Sequence, residues 1–408
     1  MNFNFKFWIR LTLINLLIVA FLGVVMRYKI GFAFPYLNQK NLQHAHSHFA
    51  FGGWISMMIM VLMLYSVKEK LSKAQLWHMK PILYANLITA YGMLVSFAMQ
   101  GYGFFSIAFS SLSIIISFWF SYQFYITARS SFNLPGIKWM NLALFFNLLS
   151  SIGTLCLSYM MATRQLEQHA YLASVYWYLH FQYNGWFFFA CAGLFVNFLY
   201  SKNIELIKEP FTFKLFALSC IPAYGLSVLW MNLPLWIYII VVIAALGQLL
   251  GLFIFIKEIL ASRCWEKFNL HLISKTLLIF VGTALACKVL LQAGSTVPAI
   301  SKFAFGFRPI VIAYLHLVLL AFTTVFLIVY AYMNKLIVET KMAQLGLIIF
   351  VIGIFLNEII LGVQGIFSIS YTMVPFANEI LFLLALIMLS GLILLNISMI
   401  KQRKVSQF

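Results

Sequence analysis

Apolar blocks of about 20 residues, separated by short polar or charged breaks, follow one another along almost the whole chain. A helix of that length crosses roughly 30 Å of hydrocarbon. Because the blocks are continuously apolar and about twice as long as barrel strands, they favour membrane helices over a β-barrel. The predicted fold is an all-α, multi-spanning helix bundle that forms one integral membrane domain, residues 1–408. About twelve helices are predicted, at residues 7–26, 44–66, 81–99, 103–127, 139–162, 170–200, 212–231, 234–256, 272–293, 309–333, 342–363 and 374–399.

The positive charges predict the orientation of these helices. The net charge is +18, although only 9% of residues are charged and 63% are hydrophobic. Lys and Arg lie in short loops and concentrate in the even-numbered connections, for example residues 68–80, 202–214 and 257–267. Such loops face the cytoplasm, so both termini should be cytoplasmic in a bacterial-type inner (plasma) membrane. Charges that set topology give no indication of nucleic-acid binding.

Three of the eight histidines alternate where the second predicted helix begins, at His44, His46 and His48. The predicted topology brings the second, sixth and tenth helices in from the outer face, which places His180 and His316 in the outer half as well. Uncharged imidazoles are tolerated in a membrane, but a cluster of them indicates a haem or metal site.

Helical geometry limits how the three clustered histidines can act. At 100° per residue, His44 and His48 share a face while His46 points nearly the opposite way. At most two of them can therefore serve the same centre. If a haem iron is bound between helices, one imidazole from the second helix and one from the tenth would be its axial ligands.

The chain resembles subunit I of the haem-copper oxidase superfamily, which includes the large subunit of nitric oxide reductase. The resemblance rests on about twelve helices, on histidines near the outer ends of the second and tenth, and on the segment 45–54, AHSHFAFGGW. That segment is also similar to the opening of the NnrS family of haem- and copper-containing membrane proteins. The resemblance implies one low-spin b-type haem held by His48 and His316, with His46 and His44 as auxiliary candidates.

The departures from the superfamily concern its second metal centre. Tyr314 stands where the resemblance requires a second histidine in the tenth helix, and residues 211–230 contain no histidine at all. Asn184 stands where the family has a tyrosine four residues after the sixth-helix histidine. The resemblance therefore implies at most a degenerate second site, formed by His180 with His44 or His46, that would bind copper, non-haem iron or a gas. With this site degenerate, the resemblance does not favour oxygen reduction coupled to proton pumping.

Charged residues inside the apolar blocks need a partner or water. Three such residues fall toward the outer half of the membrane: Lys288, Glu358 and Glu379. They predict either a polar patch that could carry protons, with Glu358 and Lys288 as an ion pair, or ordinary anchoring at the membrane interface. Arg308 and Lys302 go against the charge rule, and the resemblance makes them candidates for holding the haem propionates.

Two functions remain open from the sequence. The first is a redox protein of the respiratory type, resembling a b-type cytochrome, that transfers electrons or acts on nitric oxide or oxygen. It would need a partner such as cytochrome c, a quinol or another subunit. The second is a non-enzymatic protein that binds or transports copper, iron or haem, or an NO-response protein of the NnrS type. Whether the chain is an enzyme is left undecided.

Overall fold

A computed structural model describes residues 3–165, 167–263, 266, 268 and 270–405, with the backbone alone at 302–305 and 401–405. The described residues form helices and no strand. Two compact units divide the chain: unit 1 comprises residues 1–130 and 324–408, and unit 2 comprises residues 131–323. The prediction of one domain over residues 1–408 stays a prediction.

Unit 1 contains the first four membrane helices, the end of the tenth and the last two. They are α1 (Phe5–Gly31), α2 (Gln39–Ser66), α3 (Lys73–Gln100), α4 (Phe104–Thr127), α10 (Arg308–Met333) from residue 324 onward, α11 (Lys341–Ile369) and α12 (Ala377–Val405). Unit 2 contains α5 (Ile137–Thr163), α6 (residues 168–201), α7 (Glu209–Cys220), α8 (Leu235–Ala261), α9 (Leu272–Gly294) and the start of α10. A short helix, Pro298–Gly306, precedes α10.

The prediction of an all-α, multi-spanning chain is confirmed. Ten helices among the described residues are long and apolar enough to cross a membrane, and the bent pair at α7 would make an eleventh. The segment α6 lies outside the ten because Tyr, Trp, Gln and Asn residues lower its hydropathy between residues 176 and 186. The predicted seventh helix, residues 212–231, is instead two helices that meet at 47°, Glu209–Cys220 and Pro222–Val228. Pro222 has no backbone N–H to continue the first helix.

Polar caps start two helices earlier than hydropathy alone predicts. Helix α2 begins at Gln39 because the Asn38 side chain accepts hydrogen bonds from the backbone N–H of Lys40 and Asn41, at 2.9 and 3.1 Å. Helix α3 begins at Lys73 behind a reciprocal capping box between Ser72 and Gln75. The clustered histidines therefore lie more than a turn inside α2 rather than at its first residue.

Two glycines bring α11 and α12 into backbone contact. A Cβ added to Gly391 would lie 2.7 Å from the carbonyl oxygen of Gly346 and 2.7 Å from the backbone N of Phe350. A Cβ added to Gly346 would lie 2.7 Å from the carbonyl oxygen of Gly391. Small residues allow this approach in lipid, where close packing takes over from the hydrophobic effect.

We expect Gly391→Val to lower the free energy of unfolding by about 1–3 kcal/mol, because the backbone of α11 cannot move aside as a side chain could. Thermal unfolding of the purified chain in detergent measures the effect. Gly362→Ala is the matched control on α11, since nothing lies within 4 Å of an added Cβ there. Equal midpoints for Gly391→Val and the unsubstituted chain would contradict the backbone contact.

Candidate functional site

Three π-helical segments occur among the described residues, and each begins on the residue after a histidine. Phe49–Ser56 follows His48 in α2, Phe181–Phe187 follows His180 in α6, and Leu317–Thr324 follows His316 in α10. A π-helix is rare, occurs mostly as a single turn inside an α-helix, and is frequent at functional sites. The three segments thus mark the histidines that the sequence selected in the second, sixth and tenth helices.

Buried side chains from neighbouring helices satisfy the π-helical carbonyls of α2. Asn15 of α1 donates from Nδ2 to the carbonyl oxygen of Gly53 at 2.6 Å, and Asn86 of α3 donates to that of Gly52 at 3.1 Å. The Tyr91 hydroxyl in turn donates to Asn15 Oδ1 at 2.8 Å. Asn15 is fully buried. An unpaired carbonyl in the membrane would be costly, so these contacts hold the segment open.

The clustered histidines divide between two faces of α2, as their spacing predicts. His48 stacks on Phe97 of α3 with ring centroids 4.2 Å apart, and His44 meets Tyr102 edge-on at 4.6 Å. His46 points the other way, toward α1. A Cβ added to Gly23 of α1 would lie 3.7 Å from Cε1 of His46. A single centre can therefore use His46, or it can use His44 and His48.

The ring nitrogens of the three clustered histidines in unit 1 have contacts that are compatible with binding a metal or haem iron. The Val19 backbone carbonyl lies near the His46 ring, while Nδ1 of that ring is buried without a hydrogen-bond partner among the described residues. His44 Nε2 is also buried without one, and His48 makes no hydrogen bond to the described residues. Ligating histidines commonly give one nitrogen to a carbonyl and the other to the metal. Of the three clustered histidines, His46 alone has such a carbonyl beside its ring among the described residues.

Within unit 1, Arg27 of α1 and Glu358 of α11 are close enough to interact electrostatically. The positive charge of Arg27, one turn beyond Gly23, acts on the Glu358 carboxylate of α11. Asn357 Nδ2 donates to Glu358 Oε1 at 3.3 Å. In the sequence, Arg27 goes against the charge rule, like Arg308, and is a candidate partner for an anionic group on the outer side. Glu379 is exposed in the first turn of α12, where a carboxylate suits a helix N-terminus.

His180 in unit 2 is fully buried, and both of its ring nitrogens are engaged. Its Nε2 lies 2.9 Å from the Cys220 carbonyl oxygen, and its Nδ1 lies 3.1 Å from Asn184 Nδ2. A neutral imidazole that donates from Nε2 and accepts at Nδ1 satisfies both contacts. No group of three or more His, Cys, Asp or Glu side chains that could hold a metal ion exists among the described residues.

The remaining predicted residues of unit 2 lie in α9 and α10. Lys288 is buried, with its Nζ 5.2 Å from the centre of the Phe188 ring, and its charge acts on His180 and Cys220. The interactions of Lys288 thus lie within unit 2, whereas those of Glu358 lie within unit 1. His316 is half-buried, and Arg308 begins α10 about two turns before it. The Lys302 side chain lies outside the described residues.

Known proteins support the fold. No family model and no curated protein matches the sequence. Among solved structures, 23 chains match. One of them, from a cryo-EM structure of a haem-copper terminal oxidase dimer, has a TM-score of 0.73 and 11% sequence identity, and the match covers 98% of this chain and 84% of that one. At that identity the likeness concerns the fold alone. The chain therefore has the helical fold of a haem-copper terminal oxidase chain.

Proposed function

We propose that this chain is a membrane redox protein that binds one low-spin b-type haem through a histidine of α2 and His316 of α10. The observation that carries the proposal is the start of a π-helix close after a histidine in each of these helices, three residues after His46 and directly after His316. The oxidase-like fold supports a redox role. Two imidazole ligands would give a six-coordinate iron suited to electron transfer.

Within α2, the contacts favour His46 over His48 as the proposed ligand. His46 has a carbonyl to orient its ring and a second nitrogen left over, whereas His48 lies flat on Phe97 without an orienting hydrogen bond. Gly23 of α1, which has no side chain, leaves room for the His46 ring to pack against that helix. We therefore propose His46 as the ligand, with His48, which the sequence favoured, as its competitor.

Charged groups near these ligands would bind the haem carboxylates. Arg27 lies one turn from the glycine that faces His46, and Arg308 lies on the same helix as His316. Guanidinium groups pair well with carboxylates. The haem would supply one-electron chemistry, and the protein's residues would bind it, orient it and set its exposure to water.

A second redox metal is not part of the proposal. Both nitrogens of His180 already make hydrogen bonds, so a metal at this histidine would have to displace the Cys220 carbonyl or the Asn184 amide. We propose instead that His180 orders the π-helical segment of α6. Electrons would come from a partner, either cytochrome c, a quinol or another subunit, and both termini would face the cytoplasm.

A reduced-minus-oxidised absorption spectrum of the chain purified in detergent tests the proposal. We expect the sharp bands of a low-spin b-type haem, with about one haem per chain by pyridine haemochrome analysis. Because the iron would already have two protein ligands, carbon monoxide should leave the reduced spectrum unchanged. A colourless preparation that also fails to bind added haem would contradict the proposed function.

A further inference from the structure

The polar side chains of Lys288 and Gln292 are buried on one face of α9. They lie one turn apart and are 3% and 6% exposed. Among the described residues neither side chain makes a hydrogen bond or an ion pair, and Gln292 Oε1 is completely buried without one. Two unsatisfied polar groups side by side in a membrane helix require an explanation.

The described residues around Lys288 include no counter-ion. The Phe188 ring, 5.2 Å from Nζ, offers only the partial negative charge of its face. The His180 imidazole and the Cys220 carbonyl are committed to each other at 2.9 Å. The Cys220 thiol lies 3.7 Å from the Asn184 carbonyl oxygen and points its weak donor there. A buried ammonium needs a negative partner to offset its lost hydration, and these neighbours do not provide one.

We propose that Lys288 and Gln292 form a binding site for a small monovalent anion, of the size of nitrite, azide or chloride. The Lys288 ammonium supplies the charge, and the Gln292 amide N–H supplies a second donor one turn further along α9. A monovalent anion balances the single positive charge, whereas a divalent anion would leave a net negative charge inside the membrane. The Phe188 ring, close to the ammonium, restricts the site to small ions.

Thermal unfolding of the full purified chain tests the site, with sodium nitrite, azide or chloride compared against sodium gluconate at equal ionic strength. A ligand that binds the folded state alone raises the unfolding temperature in proportion to the logarithm of its concentration. We expect a rise that becomes logarithmic in nitrite concentration, measured up to about 100 mM, and no such rise with the larger gluconate. The readout needs no haem absorption, so its result is separate from that of the haem proposal.

Two substitutions locate the anion on α9. Lys288→Met should weaken nitrite binding by about tenfold or more, since the charge-assisted hydrogen bond is removed. Gln292→Leu should weaken it less, and it serves as the second test if Lys288→Met does not fold. Lys275→Met is the matched control, because it removes the same charge from the first turn of α9. Unchanged binding in Lys288→Met, or in Gln292→Leu if that variant alone folds, would overturn the proposal, as would identical unfolding temperatures in nitrite and gluconate.

Discussion

Replacement of His316 by alanine is expected to abolish the low-spin haem spectrum while the chain stays folded. The substitution removes one of the two proposed axial ligands, so the iron becomes five-coordinate and high-spin, or the haem dissociates. Outer-shell partners of metal ligands are worth about 10- to 100-fold in affinity, and a direct ligand should be worth more. The reduced-minus-oxidised spectrum and the haem content per chain measure this loss.

The same measurement decides between the two faces of α2. We expect His46→Ala to behave like His316→Ala, and His44→Ala and His48→Ala to keep the six-coordinate spectrum. Loss of the bands in His48→Ala, with His46→Ala unaffected, would assign the ligand to the face that packs on Phe97. His78→Ala is the matched control, since His78 is exposed near the start of α3. Retention of the bands in all of these variants would refute histidine ligation by α2 and α10.

The sequence predicts the helices and the histidine faces well because both depend on local periodicity. Hydropathy over about 20 residues fixes where a helix can span a membrane. The 100° step then separates His46 from His44 and His48, as the contacts of α2 show. The helix starts are predicted less well, because caps such as Asn38 are polar and lie outside the apolar window.

The π-helices could not be predicted, because they depend on partners distant in the sequence. The carbonyls of Gly52 and Gly53 can leave the α-helical hydrogen-bond pattern because two side chains donate hydrogen bonds to them instead. Asn86 of α3 donates to Gly52, and Asn15 of α1 donates to Gly53. A buried asparagine in an apolar block was the available signal, since such a residue needs a hydrogen-bond partner. The interaction of Glu358 with Arg27 was likewise hidden, because hydropathy predicts the depth of a residue in the membrane but not which neighbouring helix it faces.

A second large effect is expected at Glu209, the first residue of α7, which is 4% exposed. Its Oε2 lies 2.6 Å from Lys138 Nζ, and its Oε1 accepts a hydrogen bond from the indole N–H of Trp139. Glu209→Ala would leave the buried indole donor unpaired and the lysine without its counter-ion. We expect a loss of about 2–4 kcal/mol in the free energy of unfolding, below the value for a fully buried pair because the Lys138 side chain is 36% exposed.

Unfolding of Glu209→Ala, Glu209→Gln and Lys138→Met in detergent separates the two contacts. Glu209→Gln keeps an acceptor for Trp139 but removes the charge, so it should cost less than Glu209→Ala. Glu205→Ala is the matched control, because Glu205 is an exposed acid in the same connection. If Glu209→Ala unfolds like Glu205→Ala, the pair contributes nothing to stability. If Glu209→Gln costs as much as Glu209→Ala, the charge rather than the Trp139 hydrogen bond joins the start of α5 to the start of α7.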